Sequence, residues 1–230
     1  MWVAISQRGD PNKFGDKTDN LENNYINYLE SFGIKLVIIP NSSKNVEKYF
    51  KEFPISAVIL SGGNDVDPKL YEKDRKGLSS ISIERDKTEK RLLELAIKNK
   101  LPTLGICRGM QFINVFFKGK LIKDIKGEMG KNHNHVKVDH QIDIIDDKSK
   151  MILGNKAKVN SYHNQGVNSE TLSSELKVFA KSKDGIVEGF YHPTLPIAGI
   201  QWHPERKSPD EEVNSKIIDL FLNKKLFWKK

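Results

Sequence analysis

The first half of the chain alternates short apolar runs with amphipathic stretches. The apolar runs predict strands at residues 2–6, 35–39, 55–60 and 102–106. Runs that are apolar at consecutive positions are typical of strands buried on both faces of a parallel sheet. The stretches that follow them predict helices at about residues 18–32, 45–53, 84–98 and 107–117. This order predicts an α/β domain with a mostly parallel central sheet flanked by helices.

The second half has shorter runs in which apolar and polar positions alternate. They predict partly antiparallel strands at residues 135–138, 142–145, 156–159, 176–181, 186–190 and 197–201. Residues 210–222 predict a final amphipathic helix. No linker rich in proline, glycine or serine interrupts the chain, so we expect one domain spanning residues 1–230, with a small antiparallel sheet in its C-terminal half.

Composition narrows the class of protein. Of the 230 residues, 37% are hydrophobic and 30% charged, and the apolar runs are far shorter than the ~20 residues of a membrane-spanning helix. The N-terminus has no secretion signal, and a single cysteine excludes an internal disulfide and a multi-cysteine zinc site. We therefore expect a cytoplasmic protein without a membrane partner.

The formal net charge of +8 is a feature of many nucleic-acid-binding proteins. Here the lysines are spread along the whole chain, and the densest groups are at positions 118, 120, 123 and 126 and at 224, 225, 229 and 230. No zinc finger and no basic motif interleaved with aromatic residues accompanies them. A solvated basic face is favoured, and no nucleic-acid partner is expected. A basic binding protein without catalysis stays an alternative.

The segment around Cys107 has the pattern of a nucleophile elbow. Gly105 and Gly109 lie two residues on either side of Cys107, which follows an apolar strand and begins a helix. This spacing is typical of a turn that lifts a nucleophile above the end of a sheet, and the helix dipole favours a thiolate there. The N–H of Arg108 can bind a developing oxyanion, and Gln111, one turn later, can hold a substrate beside the sulfur. The alternative is a buried structural cysteine.

Two further motifs complete a candidate site. His203 and Glu205 follow the last predicted strand, and residues two apart in extended backbone project to the same side. Glu205 can therefore orient the His203 imidazole, which can protonate a leaving amine. Gly62 and Gly63 end the third predicted strand, where glycines let the backbone approach a ligand. The alternatives are a structural histidine and an ordinary turn.

A metal site is the remaining question at this level. His133 and His135 are two imidazoles close together in the sequence. A metal centre usually has three or four protein ligands, and no third ligand stands at a suitable spacing from this pair. We assign no metal and expect no cofactor.

Together these segments resemble class I glutamine amidotransferase-like proteins, which use a Cys–His–Glu triad. More narrowly, they look like the γ-glutamyl-γ-aminobutyrate hydrolase branch, peptidase family C26. The motifs run in family order from about residue 56 to 206: Ser61-Gly-Gly-Asn-Asp-Val-Asp-Pro-Lys-Leu-Tyr71, Arg85-Asp86 with Glu89, the elbow with Asn114-Val115, Asn160-Ser-Tyr-His-Asn-Gln165, Asp184-Gly-Ile-Val-Glu188 and Gln201-Trp-His-Pro-Glu205. The resemblance covers most of the chain and implies a flavodoxin-like fold.

The resemblance also implies roles for individual residues. Cys107 is implied as nucleophile, His203 as general acid/base and Glu205 as its orienting carboxylate. The N–H groups of Gly63 and Arg108 are implied to form an oxyanion hole. The implied substrate-binding residues are Gly62, Asn64, Gln111, Ser161, Tyr162 and His163. Among these, Gln111 is expected to bind the α-amino and carboxylate end of a glutamyl group, and His163 to shape a binding loop rather than take part in the chemistry.

The sequence departs from this branch after the elbow. Lys118-Gly119 and Lys123-Asp124 stand where a Gly-Gly pair and Gln-Asp are usual. These changes bear on the local turn rather than on the chemistry, and they add positive charge.

The implied reaction is hydrolysis of a γ-glutamyl amide through a glutamyl thioester, without ATP, metal or redox cofactor. The small-molecule substrate is expected to have an anionic or phosphorylated leaving portion, such as γ-glutamyl-CDP-amidate; a γ-glutamyl polyamine derivative such as γ-glutamyl-GABA is the other candidate. The segment 64–83 is expected to select it. A glutaminase subunit that passes ammonia to a partner synthetase is an alternative, and a homo-oligomer stays open.

Overall fold

Eleven strands and seven α-helices make up the described part of this computed structural model, which covers residues 1–72, 80–130 and 132–223. The strands are β1 (Trp2–Ile5), β2 (Arg8–Pro11), β3 (Lys17–Asn20), β4 (Lys35–Ile38), β5 (Ile55–Leu60), β6 (Thr103–Ile106), β7 (Val136–Ile144), β8 (Lys156–Tyr162), β9 (Lys177–Ser182), β10 (Val187–Tyr191) and β11 (Ile197–Ile200). The helices are α1 (Asn23–Ser31), α2 (Val46–Glu52), α3 (Ile83–Lys98), α4 (Arg108–Phe116), α5 (Ile125–Met129), α6 (Asp147–Leu153) and α7 (Glu211–Leu222). The lysines at 224–230 and part of the segment predicted at 64–83 lie outside the described residues.

Nine of these strands form one sheet in the order β4-β1-β5-β6-β11-β10-β9-β7-β8. The strands from β4 to β11 are all parallel, and each later pair is antiparallel. The predicted α/β class is confirmed. The antiparallel strands predicted in the C-terminal half extend this main sheet, and the separate antiparallel sheet is formed by β2 and β3.

The parallel half is buried on both faces because successive side chains of a strand point to opposite sides. In β1, Ile5 joins the apolar cluster that contains Leu29 of α1 and Phe221 of α7. The neighbouring Ala4 joins the cluster on the other face, which contains Leu92 of α3 and Ile113 of α4. Consecutive apolar residues in a strand therefore reflect two cores, one under each helical layer.

The segment before α1 differs from the prediction. A helix was expected from about residue 18, but β3 runs through Asn20 and pairs with β2, so α1 begins only at Asn23. The hairpin turn is closed by polar contacts: Asn12 Oδ1 accepts hydrogen bonds from the N–H groups of Phe14 and Asp16. Because both strands are mostly polar, no apolar pattern marks them.

Three elements of the second half also differ. The strands predicted at 135–138 and 142–145 are one continuous strand, β7, which pairs with β8 and β9. Helices α5 and α6 were not predicted. Helix α6 begins where Asp146 Oδ2 accepts a hydrogen bond from the N–H of Ser149, an N-cap in a segment too short to show an apolar period.

The turn after α4 forms despite the changed residues. Lys118 adopts a φ of 71°, a backbone conformation that favours glycine, and the N–H groups of Lys118 and Gly119 bond to the carbonyl groups of Val115 and Asn114. A Cβ at Gly119 would collide with the Asn114 carboxamide, so the second glycine is required by close packing.

The helices of the described chain are short or carry many polar residues. Within residues 1–72, 80–130 and 132–223, no helix has the length and apolar character that crossing a bilayer needs.

Candidate active site

Three neighbouring parallel strands end at one edge of the sheet and bring the candidate residues together. In the register of β6 and β11, Ile106 lies opposite Ile200, and the N–H of Cys107 bonds to the carbonyl of Ile200 at 2.8 Å. On the other side of β6, Leu60 of β5 lies opposite Gly105. The carboxyl ends of adjacent parallel strands are where open α/β sheets hold their ligands.

Cys107 sits at a strained turn between β6 and α4. Its φ is 51° and its ψ is −106°, values that residues with a side chain rarely adopt. The two glycines permit this turn: a Cβ at Gly105 would lie 2.6 Å from the backbone of Gly109, and one at Gly109 would overlap the carbonyl of Leu60. Cys107 is 7% exposed, so only a small part of the residue reaches solvent. This is the expected elbow.

His203 and Glu205 are paired as their spacing indicates. His203 Nδ1 lies 2.6 Å from Glu205 Oε1. A Cβ placed on Gly62 would lie 2.8 Å from His203 Cε1 and 3.6 Å from Cys107 Cβ, so the imidazole and the thiol border the same glycine. The backbone of His203 is fixed as well, because Asn160 Oδ1 accepts from its N–H and Asn160 Nδ2 donates to its carbonyl. The structure thus brings a thiol, an imidazole and a carboxylate close together, with the imidazole next to the carboxylate.

The surroundings of His203 favour a charged imidazole. Burial alone would lower the pKa of His203, but its electrostatic interactions with Cys107 and Glu205 raise it to about 10. At neutral pH the imidazole therefore carries a proton that it can give to a leaving group.

The glycine pair after β5 borders the same space. A Cβ at Gly62 would lie 2.8 Å from His203 Cε1 and 2.9 Å from Tyr25 Oη, so only glycine fits there. Gly63 has a φ of 125°, which again requires glycine. The N–H of Gly62 donates to Tyr25 Oη at 2.8 Å. Burial and the charge of Glu205 raise the pKa of Tyr25, so its hydroxyl keeps its proton.

A buried ion network supports this loop from below. Arg85 Nη2 donates to the carbonyl groups of Ser61 and Gly62, at 2.7 and 3.0 Å. Arg85 Nε pairs with Glu89 at 2.9 Å, and the Arg108 guanidinium pairs with Glu89 and Asp86. Because its side chain is engaged in this way, Arg108 can offer only its backbone N–H to the site.

The predicted substrate-binding residues divide into two groups. Gln111 and Gly62 lie at the site, and Gln111 Nε2 donates to the carbonyl of Gln165 at 3.1 Å and to Gln201 Oε1 at 3.2 Å. Tyr162 is 40% exposed and packs edge-on to His203, with ring centroids 5.9 Å apart. These residues surround the sulfur and imidazole.

The other predicted binding residues are engaged elsewhere. Asn64 bonds through its side chain to Gly9, Asp10, Ser80 and Arg85, which anchors the β2–β3 hairpin. Ser161 Oγ donates to the carbonyl of His135 at 2.7 Å. His163 Nδ1 lies 2.8 Å from the carbonyl of Gln165, and the His163 ring lies 4.8 Å from the ring of His135, measured between centroids.

Two residues of the site escaped the sequence reasoning. Tyr25 lies within the helix predicted at about residues 18–32 and was assigned no role in the site, although its hydroxyl accepts a hydrogen bond from the N–H of Gly62. Asn160 counts only as part of a motif, although it holds both backbone groups of His203. Tyrosine at a buried helix position was the available signal for the first, because a buried hydroxyl usually has a partner.

Comparison with known proteins identifies the family and the fold. The family model of Peptidase C26 matches residues 3–205. The glutamine amidotransferase-like protein YvdE of Lactococcus lactis is 28% identical over 217 residues, 90% of this chain and 90% of that protein. The γ-glutamyl-CDP-amidate hydrolase of Campylobacter jejuni is 34% identical over 160 residues, 70% of this chain and 66% of that protein. The crystal structure of a glutamine amidotransferase from Thermotoga maritima shares the fold, with a TM-score of 0.63 at 16% identity over 97% of this chain and 83% of that chain.

Proposed function

Because this chain belongs to the Peptidase C26 family, we propose that it hydrolyses a γ-glutamyl amide through Cys107, His203 and Glu205. One observation carries the proposal: His203 Nδ1 lies 2.6 Å from Glu205 Oε1, and the His203 ring and the Cys107 side chain both border Gly62. A nucleophile, a base and an orienting carboxylate in this order perform acyl transfer in many unrelated folds.

The proposed reaction has two stages. In the first, Cys107 Sγ attacks the γ-carbonyl carbon, the C–N bond breaks, and His203 gives its proton to the departing nitrogen. A glutamyl thioester remains on Cys107. In the second, neutral His203 takes a proton from water, the hydroxide adds to the thioester, and the C–S bond breaks. Glutamate leaves, and the thiolate and the imidazolium are restored.

The carbonyl oxygen gains negative charge in both stages. We assign its stabilisation to the backbone N–H groups of Gly63 and Arg108. Arg108 is the first residue of α4, where N–H groups have no partner within the helix. The fixed amide of Gln111 leaves its oxygen to accept a hydrogen bond from the substrate ammonium group, which agrees with the expected role of this residue.

Two partly exposed arginines beside the site are assigned to an anionic leaving portion. Arg8 packs against Gly63 and is paired with Asp10 at 2.7 Å, and Arg206 is paired with Glu22 at 3.0 Å. An anionic leaving portion would take the place of these carboxylates at the guanidinium groups. The substrate named for the Campylobacter relative has this chemistry.

The lysines after α4 are farther away. Lys118 and Lys120 are separated from Cys107 by the length of α4, roughly 14 Å.

The test compares a panel of neutral, cationic and phosphorylated γ-glutamyl amides with the wild-type chain and Cys107→Ala. The wild type should prefer the phosphorylated amides, and Cys107→Ala should lose at least ~10⁴-fold in kcat while keeping its fold. Acid quenching of the wild-type reaction should yield a chain heavier by one glutamyl group, located on Cys107 by mass spectrometry. A fully active Cys107→Ala chain would reject the proposal.

Two other outcomes distinguish the alternatives. Hydrolysis of glutamine that appears only when a synthetase is added would favour a glutaminase role within a larger assembly. A salt-sensitive shift of DNA by a chain that turns over no member of the panel would favour the basic binding protein. Preference for cationic amides would overturn the anionic leaving portion alone and leave the triad chemistry in place.

A further inference from the structure

A second group of histidines lies in the antiparallel half of the sheet. It consists of His135, His140, His163 and Glu188, and we refer to it as the histidine cluster. Glu188 is on β10, His140 is on β7, and His135 and His163 immediately flank β7 and β8. The rings of His135 and His140 are 4.9 Å apart, and those of His135 and His163 are 4.8 Å apart. Three imidazoles therefore surround one buried carboxylate.

One nitrogen of each imidazole faces the same carboxylate oxygen. Glu188 Oε1 lies 3.1 Å from His140 Nε2, 3.5 Å from His135 Nδ1 and 3.7 Å from His163 Nε2. None of these three nitrogens, and neither oxygen of Glu188, has a hydrogen bond of good geometry within the described residues. Glu188 is completely buried, and His135 and His163 are nearly so. Such unsatisfied buried atoms are costly and call for a partner.

The outer nitrogens determine which atoms carry hydrogen. His163 Nδ1 lies 2.8 Å from the carbonyl of Gln165, which can only accept, so Nδ1 carries the proton. His135 Nε2 lies 3.0 Å from Asp184 Oδ2, which favours the proton on that nitrogen. In the neutral imidazoles, lone pairs of His135 Nδ1 and His163 Nε2 then face the Glu188 carboxylate. Lone pairs and a negative oxygen repel one another unless a cation lies between them.

From this geometry we propose that His135, His140, His163 and Glu188 bind a divalent transition-metal ion of the zinc class. Zn–N and Zn–O bonds of about 2.0–2.1 Å at tetrahedral angles place ligand atoms about 3.3–3.4 Å apart. The three distances to Glu188 Oε1 lie around this value. The ligand atoms of His135, His140 and Glu188 all lie within 4.8 Å of one another, so the widest separation among these three needs to close by about 1.4–1.5 Å at most.

The surroundings of the histidine cluster have the form of a metal site. In zinc proteins a carboxylate commonly accepts a hydrogen bond from the ring nitrogen of a ligating histidine that does not bind the metal. Asp184 stands in this position relative to His135. His133 Nδ1 binds the same Asp184 oxygen at 2.9 Å. A cleft of about 820 Å³ reaches His135 and His140 from solvent and gives an ion a path of entry.

The sequence conceals this site because its ligands are distant along the chain. His133 and His135 are close in sequence, but His133 contacts Asp184 rather than the proposed ion. The other ligands, His140, His163 and Glu188, lie on or beside three separate strands. The site also connects to the triad. The carbonyl of Gln165 accepts from both His163 Nδ1 and Gln111 Nε2, so a bound metal would fix the residue that orients Gln111.

The test is a titration of the full chain with Zn²⁺ after dialysis against a chelator, with Co²⁺ as a spectroscopic probe. One ion should bind per chain with a Kd in the micromolar range or below, and Co²⁺ should give the strong visible absorption of a four-coordinate site. His140→Ala should weaken binding at least tenfold. His140 is the least buried ligand, and circular dichroism checks that the variant folds; His140→Gln gives a second reading.

Two variants make the result specific. His192→Ala removes a buried histidine outside the histidine cluster and should bind Zn²⁺ as the wild type does. Cys107→Ser should also bind normally, whereas loss of binding in this variant alone would place the ion at the triad and overturn the proposal. Asp184→Asn should weaken binding by about 10–100-fold. A wild-type chain that binds no stoichiometric Zn²⁺ overturns the proposal as well.

Discussion

Two groups of histidine and carboxylate occupy the two halves of one sheet, and their charges are arranged in opposite ways. In the triad, one imidazole stands between Cys107 and Glu205, and its pKa rises to about 10. In the histidine cluster, three imidazoles share Glu188. Burial and the neighbouring His163 lower the pKa of His135.

The ratio of imidazoles to anions explains the difference. An imidazole with two anionic partners holds a proton firmly, which suits a residue that must deliver one. Three imidazoles around one carboxylate cannot all be protonated without strong mutual repulsion, so lone pairs remain directed at the centre. Under the two proposals, the same two kinds of side chain serve as a proton donor in one half and as a set of ligands in the other.

The largest expected effect concerns the carboxylate of the triad. Glu205→Gln should lower kcat by about 10³–10⁴-fold with little loss of stability, because an amide in place of the carboxylate no longer holds the tautomer or the charge of His203. Steady-state kinetics with the preferred γ-glutamyl amide measure it. Glu212→Gln, at an exposed carboxylate on α7, is the control. A Glu205→Gln chain with kcat near that of the wild type would remove the distinction between the two groups.

The next effect tests whether the ion network beneath the triad is structural. Glu89→Gln should lower the free energy of unfolding by about 3–5 kcal/mol, because Arg85 and Arg108 would lose a fully buried anionic partner. Urea denaturation measures this. Glu94→Gln on the same helix breaks a partly exposed pair with Arg91 and should cost less than about 1 kcal/mol. Equal costs would show that burial does not set the value of the pair.

The sequence predicts the parallel half better than the antiparallel half, for a physical reason. Strands buried on both faces are apolar at most positions, as in β5 and β6, and a nucleophile elbow needs its glycines at fixed spacing. Both are local properties. The hairpin at residues 8–20 has polar strands stabilised by the Asn12 turn and by Asn64, so its pattern does not distinguish it from a loop.

The histidine cluster marks the other limit of sequence reasoning. Its four residues lie on or beside three strands whose order in the sheet differs from their order in the chain. The pairing of β7 with β8 and β9, and of β9 with β10, brings them together. The triad is equally dispersed, but strand ends at one edge of a parallel sheet converge by rule. No comparable rule exists for side chains on the faces of antiparallel strands.

A smaller effect separates two tyrosines of α1. Tyr25→Phe should lower kcat by about tenfold, because the N–H of Gly62 loses its acceptor and the loop beside His203 becomes less ordered. Tyr28→Phe is the matched control: its hydroxyl is buried without a hydrogen bond among the described residues, so its removal should leave kcat and stability nearly unchanged. Equal kinetics of both variants would mean that Gly62 is held by Arg85 alone.

The smallest effect is a dependence on pH with a defined sign. The folded pKa of His203, about 10, lies above its ordinary value of 6.5, so its stabilising contribution is complete below pH 6.5 and is lost as the pH rises through 10. The difference in free energy of unfolding between the wild type and His203→Gln should therefore shrink from pH 6 to pH 10. NMR titration should show a lower His203 pKa in Cys107→Ala; an unchanged value would mean that the thiolate does not raise it.

The position of β11 has a consequence for synthesis on the ribosome. This strand is the last of the sheet in sequence, yet it lies between β6 and β10 and carries the imidazole on the segment that follows it. A nascent chain that has not reached residue 197 has two strand edges without neighbours and a cysteine without its base. In the proposed mechanism, Cys107 therefore gains its base through the same late insertion that closes the sheet.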